Sequence, residues 1–106
     1  MEAIHELGTE IIERLEQNGS DLAHQHAFDF FFYFHSVEQA EAVAARLGNA
    51  GFATEILRGE EPRWLCLASK IVVPDEEAFN YYGKWFEMLA HEHEGEFDGW
   101  ETKVSA

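Results

Sequence analysis

Apolar residues at positions 4, 7, 11 and 15 stand among glutamates with the 3.6-residue period of a helix. Ile4, Leu7, Ile11 and Leu15 therefore mark the buried stripe of a first helix over roughly residues 2 to 18, closed by "NGSD" with Gly19 near its C-terminal cap. The period drops to two in "HAFDFFFYFH", residues 26 to 35, where Phe28, Phe30, Phe32 and Phe34 share one side and Asp29, Phe31 and Tyr33 the other. The all-phenylalanine side reads as core. The mixed side poses the functional question, because aromatics on an open sheet face stack bases, receive a partner or lie under another helix.

Ser36 then fits an N-cap, with Gln39 three residues on in a capping-box pattern, and Ala40, Val43, Ala44 and Leu47 form the stripe of a second helix ending near Gly51. "FATEIL" and "RWLCLASKIVV" read as a hairpin across the turn "GEEP". After Pro74, Asp75 is placed to cap a third helix, with Phe79, Tyr82, Phe86 and Leu89 along one face. Tyr81, Trp85 and Met88 make a second apolar stripe on it, which predicts burial on more than one side. "GEFDGWETKV" is the final strand, carrying a turn or bulge signal at Asp98-Gly99.

In order, the elements are one helix followed by β-α-β-β-α-β, an α+β chain with the split arrangement of a ferredoxin-like βαββαβ sandwich. This predicts one antiparallel four-stranded sheet in spatial order 4-1-3-2, with the second and third helices on one face. The extra N-terminal helix, or a second copy of the chain, is expected to shield part of Phe31 and Tyr33 on the other. Phe28, Phe30, Phe32, Phe34, Leu47, Leu65, Leu67, Phe79, Phe86 and Leu89 are the expected core. The 106 residues form one domain, 1-106, divided into helix and turn at 1-20 and sheet core at 24-104.

Charge narrows the function. With 21 acidic and 7 basic residues the net charge is −14, a field that repels phosphate backbones and anionic headgroups and attracts basic segments. Nucleic acid and membrane are thus poor partners. The single cysteine, Cys66, lies in an apolar run and cannot form an internal disulfide. No charged-then-apolar leader opens the chain and no apolar stretch nears the ~18 residues of a membrane span, so a cytoplasmic location is the expectation.

Specific chemistry is sparse. An open aromatic sheet face is the geometry of RNA-recognition modules, yet "RWLCLASKI" lacks their basic-aromatic pattern around glycine, and the charge opposes RNA. The pairs His24/His26 and His91/His93 fall short of the three or four converging ligands a metal needs. There is no nucleophile elbow, phosphate-binding loop or activated cysteine, so neither an enzyme nor a cofactor is expected. Around Gly99, Trp100 reads either as a buried anchor or as part of a recognition patch with Glu96, Asp98 and Glu101.

"GEFDGWETKV", "NGSD", "FDFFFYFHS", "AARLGNAGF" and "VVPDEEAF" together resemble the ribonuclease E inhibitor RraB family, from about residue 10 to residue 104. The resemblance implies a ferredoxin-like fold and a small cytoplasmic regulator that binds ribonuclease E through its arginine-rich scaffold region and lowers RNA cleavage. An arginine-rich segment is also the kind of partner that the charge favours. The expected function is therefore a non-catalytic protein-binding regulator, monomeric or homodimeric, with Glu96, Asp98, Trp100, Glu101, Phe31 and Tyr33 as partner-binding residues. The alternative is a small-molecule or metal-binding domain using the open aromatic face.

Overall fold

The structure, a computed structural model, describes residues 6–60 and 63–102. Ile4 and the rest of residues 2–5 of the expected first helix, residues 61–62 of the hairpin turn and residues 103–104 of the last strand lie outside them. Among the described residues seven elements follow one another: α1 (Leu7–Gln17), β1 (His26–Phe34), α2 (Val37–Asn49), β2 (Ala53–Arg58), β3 (Trp64–Val72), α3 (Glu76–Glu92) and β4 (Glu96–Thr102). The strands form one antiparallel sheet in the order β2-β3-β1-β4, so β1 and β3 are central and β2 and β4 are edges.

Local signals set most boundaries. Ser36 accepts from the Gln39 amide, Asp75 accepts from the Glu77 and Ala78 amides, and Gly19 and Gly51 adopt the positive φ that ends α1 and α2. At the end of α3 it is Glu94, just before Gly95, that takes the left-handed conformation, at φ 59°. Gly95 is needed for space, because a Cβ there would run into the Phe34 ring and the Tyr33 carbonyl.

Phe28, Phe30, Phe32 and Phe34 are buried under the helices, and Phe86 of α3 sits among them with its ring centre 5.0 Å from Phe30, 5.2 Å from Phe32 and 5.2 Å from Phe97. Leu47, Phe79 and Leu89 are buried as expected, but Leu65 and Leu67 are not. The inward residues of β3 are Cys66 and Ala68, opposite Phe32 and Phe30. Volume explains the exchange: Phe30 and Phe32 already have Trp100 and Phe97 beside them on β4, so the β3 side of the same layer is filled by small residues. The second stripe on α3 also departs from expectation, since Tyr81 and Met88 are 66% and 54% exposed and only Trp85 packs against the core.

The first helix does not cross the open face. Leu7, Ile11 and Leu15 join the same core as the four phenylalanines, and α1 packs beside α3 in the helical layer. The reason is a close helix-helix approach that the periodicity of α1 alone did not reveal. The Gly8 backbone rests against the Glu76 carbonyl, and a Cβ at Gly83 would come 2.7 Å from that of Leu7. Asn80 completes the joint, its Oδ1 accepting from the Gly8 and Thr9 amides at 2.6 and 3.3 Å and so capping a helix whose own N-cap residue, Glu6, makes no side-chain cap.

Burial pushes the Cys66 thiol from 9.0 up to about 11. Because the folded chain holds this proton more tightly than the unfolded one, the associated stability is complete below pH 9.0 and is lost as pH rises toward about 11. Folded protein at pH 8 should therefore leave a thiol reagent unconsumed until denaturant is added. Stoichiometric labelling without unfolding would contradict the burial.

Candidate functional site

With all three helices on one face, the opposite face of the sheet is uncovered among the described residues. The registers arrange it in rows. Glu96, Tyr33, Leu65 and Leu57 lie side by side across the four strands; next come Gly99, Phe31, Leu67 and Glu55, and then Glu101, Asp29, Ser69 and Ala53. The result is an apolar floor of Phe31, Tyr33, Leu65, Leu67 and Leu57 with carboxylates around it. The four central side chains are half-buried by one another rather than by the core, while Leu57 on the edge strand is 39% exposed.

The bulge in β4 decides which expected residues meet here. Between the pairs Phe31/Gly99 and Phe32/Phe97 the register slips, leaving Asp98 without a partner, and Gly99 supplies the φ of +134° that the slip requires. A regular strand would put Glu96, Asp98 and Trp100 on one side. Instead Glu96 and Glu101 fall on the open face with Phe31 and Tyr33, whereas Phe97 and Trp100 turn to the helical side. Trp100 is thus an anchor, 6.3 Å from Phe28 and covered by the Arg14 guanidinium of α1 at 5.5 Å. Asp98 is exposed at the bulge and lines a cleft of about 490 Å³ between α1, α3 and β4, together with Glu10, Arg14 and Trp100, and Phe31 of β1 borders this cleft beside Gly99.

Sequence reasoning missed Glu55, Leu65 and Leu67 as members of the face. The signal was available only through register, because parity along β2 and β3 could not be tied to β1 until Cys66 and Ala68 were known to point inward. On this face Asp29 accepts from the Ser69 hydroxyl at 2.7 Å, and Arg63, just before β3, lies over the Tyr33 ring at 4.3 Å with Nη1 3.4 Å from Glu96 Oε1.

The histidines serve elsewhere. His26 is buried with Nδ1 2.9 Å from the His24 carbonyl, and His93 pairs with the Gln39 side chain at 2.8 Å, drawing that glutamine away from a reciprocal capping box. Among the described residues no three His, Cys, Asp or Glu side chains converge as a metal site, and no helix is long and apolar enough to cross a membrane.

Among the described residues this acidic α+β domain packs its helices on one side of the sheet and leaves an apolar, carboxylate-edged face on the other, the kind of surface that marks interaction sites. The chain belongs to the family described as Regulator of ribonuclease activity B, RraB, which matches residues 5–102. That membership puts it among regulators of ribonuclease activity. No curated protein matched the sequence.

Proposed function

We propose that this chain is a non-catalytic inhibitor of a ribonuclease E type endonuclease in RNA decay, acting by holding a basic, arginine-rich segment of the enzyme on the open face of its sheet. The observation that carries the reading is the pairing of an apolar floor, Phe31, Tyr33, Leu65 and Leu67, with Glu55, Glu96 and Glu101 around it, in a chain of net charge −14. Arginine suits both parts, since its guanidinium stacks on rings and pairs with carboxylates, which lysine does less well. RNA suits only the rings, on which bases stack, because its phosphates meet the same carboxylates.

The strand order and the two crossover helices support a single domain over 1-106 with a ferredoxin-like βαββαβ core at 24-104, and a partner that acts in RNA decay supports a cytoplasmic location. Purified chain added to the full-length endonuclease should slow RNA cleavage, and should have little effect on the endonuclease lacking its arginine-rich segment. Equal slowing of both enzymes would show that the segment is not the target.

A further inference from the structure

The open face already carries one guanidinium. Among the described residues Arg63 is the cation on this face; Arg58 and Lys70 have the inward parity of Trp64 and Cys66, and Arg14, Arg46 and Lys84 belong to the helices. Arg63 makes both contacts that would recognise an incoming arginine, a ring face at 4.3 Å and a carboxylate oxygen at 3.4 Å. The turn positions it: the Gly59 amide donates to the Arg63 carbonyl at 3.0 Å, the Arg63 amide donates to the Glu60 carbonyl at 2.8 Å, and Gly59 leaves room beside the Tyr33 ring.

From this geometry we infer that Tyr33 and Glu96 form a guanidinium subsite, that Arg63 fills it in the free protein, and that an arginine of the bound segment takes its place. The inference rests on the proposed function and adds which residues do the recognising and what competes. Exchange is easy because the contact is superficial: the Arg63 and Glu96 side chains are 37% and 60% exposed. A pair and a ring contact of this kind hold weakly in water.

The test compares R63A with R46A, which removes one positive charge from α2 and takes the net charge to the same −15 from −14. A labelled peptide of alternating arginine and leucine is titrated against wild type and both variants at low salt. R63A should bind roughly threefold more tightly than R46A, a gain of the size expected for releasing one exposed contact. The gain should vanish in the double variant Y33A/R63A. In wild type, the Arg63 Nε–H resonance should move toward the position of free arginine as peptide is added, and a lysine-leucine peptide should move it less. R63A binding no better than R46A, with peptide binding still lost on reversing the carboxylates, would overturn the subsite alone. No salt-sensitive binding by wild type would overturn the proposed function with it.

Discussion

Replacing Glu55, Glu96 and Glu101 together by lysine is expected to weaken capture of an arginine-rich segment by roughly thirtyfold at low salt, about 2 kcal/mol, while leaving the fold intact. Each carboxylate alone contributes little, because exposed pairs are worth only about 0 to 1 kcal/mol. Reversal converts three attractions into three repulsions around one apolar floor, and the effects combine. Glu55 and Glu101 are exposed and Glu96 is 60% exposed, so substitution creates no buried charge. The matched control is Glu13, Glu16 and Glu41 to lysine, exposed positions on α1 and α2 that give the same net change, −14 + 6 = −8. It should cost severalfold at most and lose even that at moderate salt, where charges more than about 10 Å apart are screened. Isothermal titration of the two triple variants at two salt concentrations checks the difference. Equal losses would make total charge, not the face, the determinant.

The second large effect separates two neighbouring phenylalanines. Phe32 is fully buried, with its ring 5.2 Å from Phe86 and 5.1 Å from Phe97, so Phe32→Ala should cost about 3–5 kcal/mol, a large share of the roughly 5–15 kcal/mol that holds such a domain together. A fall of some 15 °C or more in Tm is expected. Phe31 points the other way, onto the open face beside Leu67. Phe31→Ala should lower Tm by only a few degrees and yet weaken peptide binding severalfold, because it removes floor rather than core. Thermal denaturation of both variants, with peptide titration of the second, reads the contrast. A Phe31 variant as unstable as the Phe32 variant would mean that this face is covered.

The element order and the inward face of β1 were legible because period and capping act locally: four alternating phenylalanines, Ser36 and Asp75 each report their own surroundings. The inward face of β3 was not. "WLCLAS" offers leucine, cysteine and alanine with nearly equal claim to a core, and only the rings on both sides, Phe30 and Phe32 with Trp100 and Phe97 beyond them, decide for Ala68 and Cys66. The site failed to read cleanly for the same reason, since a one-residue slip at Asp98 separates Trp100 from Glu96 and the sequence marks the bulge without fixing its phase. The position of α1 depended on Gly8, Asn80 and Gly83, three residues whose roles exist only once two helices touch. Tyr81 and Met88 had helical spacing with Trp85, but a third helix already flanked by α1 has no second partner to bury them.

The central claim is that the uncovered sheet face receives the basic segment, and amide chemical-shift mapping of the labelled chain with an arginine-rich peptide from the endonuclease tests it most directly. Shifts should concentrate at Tyr33, Glu55, Leu65, Leu67 and Glu96, leave α2 unmoved, and shrink as salt is raised. Shifts gathered instead along Tyr81, Trp85 and Met88 of α3, or around the cleft at Glu10 and Asp98, would contradict it.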